Sequence, residues 1–467
     1  MTTSIIVLLI LCLLLACAFE FVNGFHDTAN AVATVIYTNS LKPTTAVVWS
    51  GIWNFVGLLF SVYLLSSGLG VAMGILNLLP SDALTDSSIS HGVAIILAIL
   101  LTAIIWNLGT WWFGLPASSS HTLIGSILGI GLAFYFISGK DAVNWSKAED
   151  IGLSLLVSPI IGFALSIVVM FLFKRFIKND IIYKEPIPGK TPPIWIRVIL
   201  ICTCTLVSFF HGNNDGQKGI GLVMLILIIL APGYFAIKAD QFLPDTTQDI
   251  KHITELVYKM DTLKLGEKER SDIGKAKLKS SALLEALGTK TTVEEIEQKQ
   301  RFEIRKDILQ ITKTAEKVGL GENSSLSTKE KTHLKSIIKN SKKITDYAPL
   351  WVVLLISISL GLGTMIGWKR IVKTIGEKIG KQHMSYAQGA SAELVAAATI
   401  GMASAWSLPV STTHVLSSGI AGSMVAKKGL KNLQPQTIKN IALAWVLTLP
   451  VTIALSCGLF LLFRALF

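Results

Sequence analysis

Residues 23–31 read NGFHDTANA. They end an apolar run, Ile5 to Val22, that is long enough to lie in a bilayer, and the chain is apolar again from Ala31 to Tyr37. Asp27, Asn23, Asn30 and His26 therefore sit between hydrophobic arms. A charge at membrane depth costs about 2.5–3.5 kcal/mol on insertion scales and marks a functional site by default. Taken alone, Asp27 reads equally well as a helix cap ahead of an alanine-rich run. The stretch is not alone. Residues 210–221 read FHGNNDGQKGIG, again inside a long apolar segment. Aligning Asp27 with Asp215 puts Gly24 on Gly212, His26 on Asn214 and Asn30 on Lys218. Two glycine-interrupted hydrophobic segments at corresponding points of two halves point to the binding site of a secondary transporter.

The rest of the composition agrees. Of 467 residues, 51% are hydrophobic and 15% charged, with a mean hydropathy of +0.58. That is the composition of an integral, multi-pass membrane protein. The first apolar run continues into the motif rather than into a small-residue cleavage site, so no separate cleavable signal is expected. The net charge of +12 lies largely in short loops beside apolar segments, where Lys and Arg set orientation; no nucleic-acid partner is expected. The five cysteines all lie in apolar stretches without zinc-ligand spacing, and read as small core residues. No cofactor and no metal centre is expected.

Apolar segments run over 4–37, broken at the motif, then 44–69, 92–112, 118–138 and 151–173. A second set follows: 194–236, also broken, then 347–368, 387–405, 411–426 and 437–466. The fourth member of each set opens on a related string, LPASSSHT at Leu115–Thr122 and LPVSTTHV at Leu408–Val415. The chain reads as a duplication, with a first transmembrane repeat over 1–180 and a second over 190–239 and 347–467. Five segments per half is odd, so the halves should be inverted. Loop 174–197 carries Lys174, Arg175, Lys178, Lys184, Lys190 and Arg197 and should be cytoplasmic. Counting back, 70–91 falls outside, with Asp82 and Asp86 and no Lys or Arg. Its partner 369–386 falls inside, with Lys369, Arg370, Lys373, Lys378 and Lys381. If each broken segment crosses twice, the halves are instead parallel. Residues 240–346 differ: Lys- and Glu-rich, with Ile296, Phe302, Ile304, Ile308, Leu309 and Ile311 suggesting amphipathic helix. They read as a solvated helical insert on the outer side. The expected fold is an all-α polytopic membrane protein with two inverted-topology repeats, broken helices and this soluble insert.

Pro116 and Pro409 suit the first turn of a helix. Ser118, Ser119 and Ser120, and Ser411, Thr412 and Thr413, then sit at helix starts, where free N–H groups and the dipole favour an anion. Ser and Thr are also common N-caps; the duplication is what favours substrate binding. An anion entering a negative-inside cell needs accompanying cations. Asp27 and Asp215, with Asn23, Asn30, Asn213 and Asn214, offer hard oxygen ligands for Na+ or carriers for a proton. Glu393, in QGASAELVAAA, is a further coupling candidate. His121 and His414 follow the hydroxyl clusters as proton carriers or braces of the turn, and Asn107 and Trp106 rank as lining residues.

These strings resemble the paired signature of the inorganic phosphate transporter (PiT) family, usually GANDVANA, and the two Leu-Pro strings match that family as well. The resemblance covers the chain outside 240–346. It implies an inverted repeat, a homodimer, and symport of phosphate with Na+ or H+, through Asp27, Asn30, Asp215 and the hydroxyls after Pro116 and Pro409. The bacterial low-affinity branch, which the strings resemble most, implies proton coupling, acceptance of divalent metal–phosphate complexes and an inner-membrane location. Two departures bear on the ion. His26 stands where the family has Asn, and Gln217–Lys218 where it has Ala-Asn. Both replace candidate Na+ ligands, and Lys218 lies three residues after Asp215, on one helix face. The alternatives are sodium coupling, or a sulfate permease of the same fold. A channel fits duplicated broken segments less well than alternating access does. A membrane enzyme built on Ser118–Ser120 and His121 lacks an oriented base, so no enzyme is expected.

Overall fold

The computed structural model describes residues 3–64, 68–79, 92–139, 143–260, 265–321 and 323–466, without the side chains of 4, 28–30 and 147. Asp82, Asp86 and the Asn30 side chain, all used above, lie outside the described residues. The described residues are helical, with one isolated antiparallel bridge between Gly380 and Leu433. The chain divides into two compact units, Val7–Ile226 with Pro349–Phe467, and Met1–Ile6 with Leu227–Ala348.

The larger unit contains α1 (Thr3–Tyr37) from Val7 onward, α2 (Pro43–Tyr63), α3 (Gly70–Leu76), α4 (Gly92–Trp112), α5 (Ser119–Ser138) and α6 (Trp145–Phe176). It continues with α7 (Ile194–Leu230), whose last turn passes into the smaller unit. Among the described residues, seven helices are long and apolar enough to cross a bilayer: α1, α2, α4, α5, α6, α7 and the C-terminal Pro435–Leu466. The segment Leu350–Thr364 and the stretch Lys369–Lys378 meet at a bend of 53° and pass the same test together.

The breaks expected at the two motifs are not there. Both α1, 35 residues long, and α7, 37 residues long, are helical straight through them. The glycines permit close approach rather than a turn. A Cβ on Gly24 would collide with the Leu360 carbonyl, and one on Gly212 with the Asn54 carbonyl. In each motif the glycine lets a backbone of the opposite half lie directly against the helix.

In the smaller unit, α8 (Leu243–Tyr258), α9 (Glu267–Leu287), α10 (Arg301–Thr314) and α11 (Thr328–Ser341) share a core. Ile304, Ile308 and Ile311 of α10 are buried in it at i, i+4 and i+7, as their spacing predicts, and Ile296 joins them ahead of the helix. Phe302 and Leu309 are half-buried. Buried Arg305 donates to the Ala236 and Thr345 carbonyls, at 3.0 and 2.5 Å, and so ties the incoming chain to the outgoing chain. Burial pushes the Asp346 carboxyl up, and the Arg305 charge opposes that shift.

The larger unit is completed by α12 (Leu350–Thr364), α13 (Tyr386–Ala405), α14 (Thr412–Lys428) and α15 (Pro435–Leu466). Its pairings exchange the halves: α6 packs along α14, and α15 along α5. A core cluster joins Val32 and Val35 of α1, Leu200 and Cys204 of α7, Ala390 and Ala396 of α13, and Leu416 and Ile420 of α14. Alanines on α13 keep its neighbours close, which draws α1, α7 and α14 around one centre.

Candidate functional site

Two helix starts meet at this centre. Ser118 is the N-cap of α5, its hydroxyl accepting from the His121 amide, and Ser411 caps α14 by accepting from the His414 amide. Pro116 and Pro409, expected in the first turn, instead lie two residues before these caps, outside the helices. Behind the caps, the His121 and His414 rings lie 4.6 Å apart. His414 also stacks on Trp445 at 4.0 Å, and Trp445 donates to the Pro116 carbonyl. Both histidines are buried.

The other hydroxyls reach the carboxylates. Ser119 Oγ donates to Asp27 Oδ2 at 3.0 Å, and its counterpart Thr412 Oγ1 donates to Asp215 Oδ2 at 3.4 Å. Thr413 donates to Asp27, while its counterpart Ser120 reaches the other side, where it accepts from Lys218 and donates to the Val410 carbonyl. Each carboxylate is thus addressed by the start of a helix in its own half, and each helix start also reaches the opposite half. Asp27 and Asp215 are 3% and 0% exposed.

Lys218 is buried, and its ammonium does not reach the surface. It donates to Asp215 Oδ1 at 2.5 Å, to the Val410 carbonyl at 2.9 Å and to Ser120. Three acceptors match its three protons. His211, one turn before Asp215, places Nε2 3.2 Å from Asp215 Oδ2. Its Nδ1 lies 3.0 Å from Asn54 Oδ1. Asn54 donates its amide to Thr364, so Oδ1 is the acceptor and His211 Nδ1 carries the proton. Ligand atoms of Asp27, His211 and Asp215 lie within 4.8 Å of one another.

The remaining candidates divide. His26 joins the site, with Nδ1 3.2 Å from Asp27 Oδ1 and Nε2 3.2 Å from Thr110 Oγ1. Asn214 positions the second helix start: it donates to Ser404 and the Leu408 carbonyl and accepts from the Val410 amide. Gln217 accepts from the Val71 and Ala72 amides at the start of α3. Asn23 donates to Glu20. Glu393 accepts from Thr34 and, at 2.5 Å, from Thr203. Thr34 is seven residues past Asp27 on α1, about 10 Å along the axis, so Glu393 forms a separate buried centre. Trp106 donates to Thr448. Among the described residues, both polar atoms of Asn107 and of Asn213 are buried without a hydrogen-bond partner.

The sequence alone flags neither Glu20, which lies inside an apolar run, nor His211, although it lies at i−4 from Asp215 on the same helix face. Nor does it flag Thr110, Asn54, Thr34 and Thr203, which bond to site residues.

The hydroxyls give a direct test. Ser119→Ala and Thr412→Ala each remove one donor, worth about 1 kcal/mol, or a several-fold loss of affinity for an anion held at these helix starts. Unchanged anion affinity in both variants would contradict a role for these helix starts.

Residues 23–456 match the sequence profile of the Phosphate transporter family. The low-affinity inorganic phosphate transporter PitA of Escherichia coli K12 is 42% identical, over 97% of this chain and 96% of that protein. PitB of the same organism is 40% identical over the same shares. A probable low-affinity inorganic phosphate transporter of Bacillus subtilis is 29% identical over 99% of both chains. A solved structure described as the sodium-dependent phosphate transporter aligns with a TM-score of 0.54 at 19% identity, over 99% of this chain and 100% of that one; at that identity the likeness concerns the fold.

Proposed function

The chain belongs to the Phosphate transporter family, and from that premise we propose that it carries inorganic phosphate across the cell's inner membrane in symport with protons. The observation that carries the proton reading is the Lys218 ammonium 2.5 Å from Asp215. A fixed, internal cation stands at the position equivalent to Asn30. It neutralises a buried carboxylate that would otherwise be strongly unfavourable.

Phosphate binds at the starts of α5 and α14. There the dipoles and backbone N–H groups favour an oxyanion, and the hydroxyls of Ser119, Thr412 and Thr413 supply further donors. Those hydroxyls now donate to Asp27 and Asp215, so carboxylate and phosphate compete for them. Protonating a carboxylate weakens its hold on the hydroxyls and releases them to the phosphate. Proton and anion therefore bind together, as symport requires. His26 serves the same end. Thr110 donates its hydroxyl to the Trp106 and Asn107 carbonyls, so His26 Nε2 is the donor toward Thr110. The contact between His26 Nδ1 and Asp27 then needs one shared proton. When phosphate arrives with a divalent cation, Asp27, His211 and Asp215 offer that cation its ligands.

The unbroken courses of α1 and α7 support inverted halves, since each motif then counts as one crossing. The exchanged pairing of α5, α6, α14 and α15 supports the same reading. Cysteines placed singly at Lys184 and Lys275, in a background without the native five, are expected to react with an impermeant reagent from opposite faces. Reaction of both from one face would mean parallel halves.

Uptake of radiolabelled phosphate into proteoliposomes, with sulfate as competitor, tests the substrate. Saturable uptake that excess sulfate leaves intact is expected; equal competition by sulfate would replace phosphate with a wider class of oxyanions.

A further inference from the structure

A second site lies at the far end of α1. A cavity of about 820 Å³ is walled by the α1–α2 turn, residues 186–197 and residues 368–384. Lys42, Arg197, Lys369, Lys373 and His383 line it, and no Asp or Glu does among the described residues. Arg197 is half-buried and held in place by its Nε bond to the Ser40 carbonyl, at 2.8 Å. No ion pair of Lys42, Lys369 or Lys373 occurs among the described residues. The carboxylates that adjoin the lining in sequence are Glu185, beside Pro186, and Glu377, which accepts from the Tyr37 hydroxyl.

Lysines beside membrane helices ordinarily serve to set orientation. Here four cationic residues and a histidine from three separate segments line one cavity, and Lys42, Lys369, Lys373 and His383 are exposed. Such a cluster concentrates anions. The C-terminal end of α1 has the wrong dipole sign for an anion, but the cations outnumber that partial charge several-fold. Size narrows the ligand. The volume lies in the range of pockets for small organic molecules, far more than one phosphate ion occupies. The wall also contains Tyr37 and Trp368, and faces of this kind stack on planar rings. Asp27 lies ten residues before Tyr37, about 15 Å along the same helix. An occupant bridging the α1 end and Lys369–Lys373 would hold the helix that carries Asp27.

We propose that this cavity binds a phosphorylated organic anion with a planar ring, of the nucleoside di- or triphosphate class, and that its occupancy slows transport. The binding claim does not depend on what the central site carries, and its failure would leave the phosphate reading intact.

The test is equilibrium binding of ATP to the full chain in nanodiscs of neutral lipid, beside wild-type uptake with ATP on either face. ATP is expected to bind saturably at one site per chain. Lys369→Gln with Lys373→Gln is expected to weaken binding at least tenfold while leaving nucleotide-free phosphate uptake unchanged. ATP on the face that carries Lys184 should slow wild-type uptake and not that of the double variant. Displacement of ATP by inorganic phosphate at equal concentration would overturn the assignment, because a single phosphate would then suffice. Loss of ATP binding in nanodiscs containing anionic lipid would overturn it too, because the site would belong to lipid headgroups. ATP binding unaffected by the double substitution would place the nucleotide elsewhere.

Discussion

In the Asp215→Asn variant, accumulation of phosphate against its gradient is expected to fall at least about a hundredfold, and Asp27→Asn is expected to do the same. Asparagine keeps the shape and removes the charge. The two failures differ in cause. At position 215 the change strands the buried Lys218 ammonium, and leaving one member of a buried pair unmatched costs about 3–5 kcal/mol. At position 27 it removes the group that contacts His26 Nδ1 and accepts from Ser119 and Thr413. Misfolding and loss of coupling are therefore separable. Asp215→Asn is expected to reduce the amount of protein in the membrane, whereas Asp215→Asn with Lys218→Asn restores the amount but not the uptake. Asp27→Asn should insert normally and still fail. Any of these variants accumulating phosphate against its gradient would contradict the assignment.

Lys218→Asn is the second large effect. It removes the internal cation and puts a carboxamide at the position equivalent to Asn30. Proton-driven uptake is expected to drop at least about tenfold, in line with the 1.5–3 kcal/mol of a hydrogen bond to a charged group. A sodium gradient at fixed pH should then stimulate uptake where it did not before. Restoring the family pattern fully would also require Gln217→Ala, but that change orphans the Val71 and Ala72 amides and costs stability of its own. The single substitution is the cleaner experiment. Persistence of full proton-driven uptake in Lys218→Asn would remove the lysine from the coupling step.

What the sequence revealed, and what it hid, follows from the range of each interaction. The duplication made Asp27 comparable with Asp215 and Ser119 with Thr412, but did not reveal that each hydroxyl would donate to the carboxylate of its own half. It also put Lys218 beside Asp215, since both lie within one helical turn. Contacts between the halves were not legible. That Thr413 reaches Asp27, or that His211 leans on Asn54, depends on pairings between segments 386 and 157 residues apart. Asn214 ranks among the candidate ion ligands because a carboxamide in a motif suggests ion binding; its bonds to Ser404, the Leu408 carbonyl and the Val410 amide could not be read from the motif. The motif glycines misled for a related reason. A glycine in an apolar helix signals either a break or a close neighbour, and only the positions of α2 and α12 decide between them. Glu20 lay unnoticed because a single carboxylate hardly alters the hydropathy of an 18-residue run, although its burial beside Gly219 and Asn23 makes it part of the same polar centre.

The account stands most directly on which gradient drives transport. Labelled phosphate accumulation would be measured in proteoliposomes of the wild-type chain under two conditions. One imposes an acid-outside pH gradient without sodium, and the other a sodium gradient at equal pH on both faces. The internal Lys218–Asp215 pair predicts accumulation under the first and only equilibration under the second. Accumulation under the sodium gradient, with none under the pH gradient, would contradict it.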